Sequence, residues 1–223
     1  MDVVIVGAHG KIALALARLL VDRGDKASGV IRNPDHSGEL EAMGVTPVIV
    51  DLEDEYAEND LAHAFRGADA IVFAAGAGPG STAERKLTVD YGGAVHSAAA
   101  AARAEVKRFV IISSIGTDDP PQDDDIFSVY LRAKANADQH VRGSGLDHTI
   151  VRPVTLTDDE PTGRVRASRH VDGGKISRDD VAAVVLAVLD NDASIGRTFE
   201  VAAGEARVQD AVAGLADQPA TLV

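Results

Sequence analysis

Close to its start the chain runs Val3-Val-Ile-Val-Gly-Ala-His-Gly-Lys-Ile-Ala13, an aliphatic run that breaks at two glycines and reopens with apolar residues at helical spacing. Few segments constrain a fold so tightly. The G-x-x-G-x-x-A pattern sits directly after a predicted strand and opens a predicted helix. Gly7 permits a tight turn, Gly10 lets backbone N–H groups approach a pyrophosphate at the helix N-terminus, and Ala13 keeps helix and strand close. Gly7, Ala8, His9, Gly10, Lys11 and Ile12 are therefore the expected dinucleotide loop, a merely structural glycine turn being the alternative. The His9 imidazole reads as facing solvent rather than as a ligand or base.

Downstream, short apolar runs alternate with amphipathic stretches, which argues an α/β fold with a parallel sheet. Strands are expected at Val3–Val6, Ala27–Arg32, Val45–Val50, Ala70–Ala75, Arg108–Ser113, Thr149–Arg152 and Thr198–Val201. Helices are expected at Lys11–Asp22, Gly38–Met43, Leu61–Phe65, Thr82–Ala104, Ile126–Val141 and Arg178–Leu189, the last capped by Ser177. Pro153–Lys175 lacks periodicity and reads as a loop or hairpin over the site. No repeat, linker or low-complexity block divides the chain. One doubly wound Rossmann-type domain over residues 1–223 follows, with 153–223 contributing a small substrate-side elaboration.

Composition narrows the chemistry. Cysteine is absent, which removes disulfides, Cys-ligated zinc, Fe–S clusters and thiol nucleophiles. With 22 Lys+Arg against 35 Asp+Glu, the net charge of −13 repels a phosphate backbone, so no nucleic-acid partner is expected. Arginine outnumbers lysine, and acids crowd Asp51–Asp60, Asp118–Asp125 and Asp158–Glu160; this is the surface of a halophile protein or of an ordinary acidic cytosolic one. No apolar stretch reaches the ~20 residues that span a bilayer, and Met1-Asp2-Val3 lacks a basic leader. A cytoplasmic protein without membrane attachment is expected.

At the end of the second strand, where an NAD-binding carboxylate would stand, the chain has Arg32. A guanidinium offers a fork to a 2′-phosphate, favouring NADP(H) over NAD(H), unless Arg32 is an ordinary surface residue. Asp51 could accept from an adenine amino group while Leu52 packs on the ring; otherwise Asp51 simply caps the acidic loop. Ala74, Ala75 and Gly76 leave room for a cofactor against backbone. Ser113 and Ser114 end the fifth strand, and Tyr130 and Lys134 lie one helical turn apart on the same face. There the ammonium can tune the phenol and reach a ribose hydroxyl, while a serine holds a substrate carbonyl or hydroxyl, the groups that hydride chemistry at a carbonyl needs.

These stretches, with Val30-Ile-Arg-Asn-Pro34, Val89-Asp-Tyr-Gly-Gly93, Val106-Lys-Arg-Phe-Val110 and Ser144-Gly-Leu-Asp-His-Thr-Ile-Val-Arg-Pro153, resemble the short-chain dehydrogenase/reductase superfamily over nearly the whole chain. The closer resemblance is to its atypical NAD(P)H-binding, NAD-dependent epimerase/dehydratase-like members, related to NmrA-like and biliverdin reductase B-like proteins. The resemblance implies a seven-stranded, mainly parallel sheet and extended NADP. Arg32 would meet the 2′-phosphate, Asp51 and Leu52 the adenine, Ala74 to Gly76 the ribose and pyrophosphate, and Lys134 the nicotinamide ribose. Arg152 to Thr155, Pro153 included, would lie near the nicotinamide. Extended members carry Asn where this chain has Asp90, and subgroup members often keep only part of the Ser/Tyr/Lys set.

No metal site is expected: His63, His96, His140 and His148 lack paired spacing, and Asp123-Asp-Asp125 reads as a solvated turn or helix-terminal acid. Arg164, Arg166, Arg169 and His170 form the basic cluster, either receiving an anionic substrate or lining a charged hairpin face. Two functions follow. One is an oxidoreductase or epimerase acting on a small carbonyl, hydroxyl or quinone; the other is a non-catalytic redox sensor of the NmrA kind. Either a monomer or a homodimer is expected.

Overall fold

The computed structural model describes residues 1–218; residues 219–223, the end of the expected elaboration, lie outside the described residues. The first half runs β1 (Asp2–Val6), α1 (Lys11–Asp22), β2 (Lys26–Ile31), α2 (Ser37–Ala42), β3 (Thr46–Ile49), α3 (Ala57–Ala64) and β4 (Ala70–Phe73). Then come α4 (Ala83–Arg85), a π-helical turn (Lys86–Gly92), α5 (Gly93–Arg103), β5 (Arg108–Ile112) and α6 (Ile126–Gly143). The remainder is β6 (Asp147–Pro153), β7 (Thr155–Thr157), β8 (Arg164–Ser168), β9 (Lys175–Ser177), α7 (Arg178–Leu189), β10 (Arg197–Ala203), β11 (Ala206–Arg207) and α8 (Val208–Ala213).

β4 and β5 bury every residue and β1 all but Asp2, as strands covered by helices on both faces must. The main sheet has nine strands in the order β11-β8-β10-β6-β5-β4-β1-β2-β3. Seven of them, β10 to β3, are parallel as expected; β8, antiparallel to β10, and the edge strand β11, antiparallel to β8, correct the expected count. β8 comes from the segment read as a loop or hairpin, where Val165 and Ala167 point inward between exposed arginines. The same segment supplies β7, which pairs with β9 in a separate two-stranded sheet.

Two apolar layers flank the sheet. α1, α7 and α8 cover one face with Leu16, Leu20, Val181, Val185 and Val212; α3, α5 and α6 cover the other with Leu61, Ala98, Ala101, Ala137 and Val141. Small residues let α5 sit close to β4 and β5. The Ser177 side chain accepts from the Asp180 amide at 3.0 Å and so caps α7 as predicted, and Asp125 accepts from Phe127 at 2.8 Å to cap α6. Arg108 lies buried at the opposite end of the sheet from the glycine loop, donating to the carbonyl oxygens of Asp147 and Val188 and to Ser194. Burial pushes its guanidinium down to about 10.

The expected helix over Thr82–Ala104 is interrupted by the π-helical turn. Its i→i+5 hydrogen bonding rotates Lys86 to Gly92 out of ordinary helical register.

Candidate functional site

A cleft of about 280 Å³ opens at the carboxyl ends of the first strands, where ligands enter sheets of this kind. Its floor is the glycine loop. Gly7 has φ +82°, and a Cβ there would stand 2.5 Å from the Ala75 Cα; no side chain fits. Gly10 caps α1 with no side-chain hydrogen bond, so the amides at this helix N-terminus keep their donors for a ligand. The residues present thus fit a pyrophosphate.

Of the expected loop, Gly7, His9 and Gly10 line the cleft. Ala8 is buried beneath it, close to Gly29; Lys11 reaches outward to Asp158 at 2.5 Å; Ile12 packs into the core. His9 does not simply face solvent: its ring stacks on His36 at 3.5 Å between centroids, and its Nε2 is 2.8 Å from Glu39. Arg32, Asp51, Leu52, Ala74, Ala75 and Gly76 all reach the same cleft.

Arg32 is half free. Its side chain is 55% exposed and lies 3.6 Å from the Glu53 carboxylate. Arg85, which the sequence did not single out, holds that carboxylate at 2.7 Å, and Thr88 donates to it at 2.6 Å. These hydrogen bonds, Arg85's first, hold the Glu53 carboxyl below the usual range. Asp51 accepts from the Glu53 amide at 3.0 Å, so it does cap the acidic turn, and it remains exposed at the cleft wall.

Beyond Ala75 lies the second group. Lys134 is buried, its ammonium 3.2 Å from the Ile112 carbonyl oxygen, 3.4 Å from that of Ala75 and 3.4 Å from Asp90 Oδ1. Burial pushes the ammonium down and Asp90 pushes it up, with a net rise. Asp90 is itself buried, accepting from the Ala77 amide at 3.0 Å. Tyr130 is half-buried, its ring centre 5.9 Å from the Lys134 ammonium and 5.4 Å from that of Lys86, with Phe127 stacked at 5.8 Å. The two serines part company. Ser113 is buried and interacts with the Asp138 carboxyl, without the geometry of a sound hydrogen bond, whereas Ser114 is the more accessible and donates to the Ile115 carbonyl oxygen.

Arg152 belongs elsewhere. It is 3% exposed and is held by Asp138 at 2.9 Å and Asp118 at 2.6 Å, locking β6 to α6 rather than lining a nicotinamide site. Pro153 is buried at the end of the same strand. Burial drives the Asp138 carboxyl above the carboxylate range even though Arg152 draws it down.

The basic cluster does not cover the glycine loop either: Arg164 and Arg166 lie on β8, with β10, β6, β5 and β4 between it and β1. Arg164 donates to the Glu205 carbonyl oxygen, and His170 stands 3.7 Å from Glu200 and 4.0 Å from Asp118. These three acid and imidazole groups lie within 4.8 Å of one another, but the Arg152 guanidinium on Asp118 already supplies the positive charge that a metal ion would bring.

The model of the NAD(P)H-binding family matches residues 7–192, from the glycine loop to just past α7. The chain belongs to this family. It is 35% identical over 213 residues, 95% of its own length and 99% of the relative's, to an uncharacterized sugar epimerase, YhfK, of Bacillus subtilis. Among solved structures, a putative NAD-dependent epimerase/dehydratase from Bacillus halodurans is 38% identical, with a TM-score of 0.88 over 96% of this chain and 99% of that one. The oxidoreductase ylbE from Lactococcus lactis superposes with a TM-score of 0.84 at 27% identity, over 98% of both chains. The family is oxidoreductase- and epimerase-like, an atypical short-chain dehydrogenase/reductase type. No helix among the described residues is long and apolar enough to cross a membrane.

Proposed function

We propose that the chain is an NADP(H)-dependent oxidoreductase or epimerase acting on a small carbonyl, hydroxyl or quinone. The observation that carries this is the junction at Ala75. That residue lines the glycine-loop cleft, and its carbonyl oxygen meets the buried Lys134 ammonium, one helical turn from Tyr130. A dinucleotide in the cleft therefore ends beside a phenol and an ammonium. When bound, the cofactor supplies or accepts the hydride. Tyr130 gives its proton to the substrate oxygen, or takes it back in the reverse direction; Lys134 meets the ribose, and Ser114 orients the substrate.

Steady-state NADPH oxidation against a panel of carbonyls and quinones tests this. Turnover is expected, with Tyr130→Phe lowering kcat about 100-fold, the low end for loss of a general acid. NADPH binding without turnover of any member would put the sensor function in its place.

NADP preference rests on Arg32, supported by Arg85 close by on Glu53. In so acidic a chain a dianionic 2′-phosphate needs such a cation. Arg32→Ala is expected to weaken NADPH at least about tenfold and NADH less than about threefold, as one charge-assisted hydrogen bond is lost. Equal weakening, read by isothermal titration calorimetry, would remove Arg32 from cofactor selection.

A further inference from the structure

Two arginines that line the cleft, Arg32 and Arg85, converge on one carboxylate oxygen. Arg85 donates to Glu53 Oε2 from Nε at 3.0 Å and from Nη2 at 2.7 Å, and Arg32 Nη1 stands 3.6 Å from the same oxygen. Thr88, on the π-helical turn, donates to Oε1 at 2.6 Å. Arg85's hydrogen bonds, with that of Thr88, hold the carboxyl below the usual range and so in its charged form. The place that two cations mark out for an anion is already filled from within the chain.

A 2′-phosphate on Arg32 has to enter against that carboxylate. At neutral pH a phosphate monoester carries about −1.5 to −2 charges and three acceptor oxygens, so it outcompetes a carboxylate for a guanidinium held at only 3.6 Å. Arg32 can turn to the phosphate, while Arg85 stays on Glu53 by two hydrogen bonds. The Glu53 charge does not leave with the exchange: it remains close to the phosphate and opposes it. A ribose 2′-hydroxyl, being neutral, needs no such exchange and feels no such repulsion.

We propose that Glu53 is a specificity-determining residue of the cofactor site: its carboxylate stands in for the 2′-phosphate on Arg32 and Arg85 when no dinucleotide is bound, and it sets the preference for NADP(H) over NAD(H) lower than the two arginines alone would give. This inference rests on the reading of the cleft as an NADP(H) site.

Calorimetric titration of the full chain with NADPH and with NADH tests it. Glu53→Gln keeps the side-chain length and an acceptor oxygen for Arg85 but removes the charge. It should bind NADPH about three- to tenfold more tightly than the parent, and NADH within about twofold of it. In an Arg32→Ala background the same change should gain less than half as much, because the cation that it frees is missing. Asp190→Asn removes an acid that pairs with Arg23 at the far end of α1 from the glycine loop, and should leave both affinities where they were, which separates a local effect from one of net charge. Unchanged or weaker NADPH binding in Glu53→Gln, with the parent's preference for NADPH intact, would overturn this inference alone, as would a gain of full size without Arg32. Equal affinity of the parent for both cofactors, unmoved by Glu53→Gln, would defeat the 2′-phosphate reading along with it.

Discussion

Gly7→Val is expected to abolish dinucleotide binding, a loss of more than about 100-fold, and to lower the melting temperature as well. Two effects add. The residue sits at φ +82°, a region that costs a β-branched side chain about 1–3 kcal/mol. Its Cβ would also press on the Ala75 backbone, with Cα at 2.5 Å and N at 2.8 Å, and no flexible side-chain end can give way. The β1 turn must then separate from the end of β4, which opens the floor on which a pyrophosphate would rest. Gly10→Ala is the informative contrast. A Cβ there meets the Gly7 carbonyl oxygen at 3.4 Å, so the fold should tolerate it with little change in melting temperature. If backbone approach at Gly10 holds the pyrophosphate, affinity should still fall. Fluorescence titration with NADPH, alongside thermal melts, separates the two; parent-like affinity in Gly7→Val would show that the glycine loop is not the phosphate cradle.

Arg152→Met is expected to destabilise the fold by about 3–5 kcal/mol, the usual cost of breaking a buried ion pair from one side. Asp138 is fully buried, its Oδ2 held at 2.9 Å by Arg152. Without the guanidinium, that carboxyl is left in a low-dielectric layer with Arg142 at 3.9 Å as its nearest cation. Burial already raises its affinity for protons, so the variant should regain stability as pH falls and the lone carboxyl takes up a proton. The sign follows from linkage: a carboxyl whose folded form binds protons more tightly than its unfolded form loses stability as pH rises. Arg152→Met with Asp138→Leu should recover most of the loss, because an apolar pair leaves no orphaned charge. Urea unfolding of the single and double variants checks this; a loss below about 1 kcal/mol in Arg152→Met would mean that the pair is not a structural lock.

The seven parallel strands were legible because buried parallel strands are written as short aliphatic runs between turn residues. The residues that line the cleft were legible for the same reason: Arg32, Asp51 and Ala74 to Gly76 stand at strand ends, and strand ends are where this topology opens its cleft. β8 escaped notice. Arg-Val-Arg-Ala-Ser is too short an alternation to stand out, and its inward residues are defined by pairing with β10, some thirty residues on. The resemblance placed Arg152 near the nicotinamide, whereas its side chain is taken by Asp138, which lies on a helix and is marked by no local spacing. Lys86 and Arg85 were invisible for a geometric reason. A reading at 3.6 residues per turn assigns faces in Thr82–Ala104 that the π-helical turn rotates, so neither the Glu53 contact nor the Tyr130 contact could be placed from spacing.

The cleft at Gly7, Arg32 and Ala75 is proposed as a dinucleotide site selective for a 2′-phosphate. Titration of the unmodified chain with NADPH and with NADH, followed by nicotinamide fluorescence, tests it most directly. Saturable binding of NADPH at one site, at least about tenfold tighter than NADH, is the result this structure predicts; no saturable binding of either, or equal affinity for both, would contradict it.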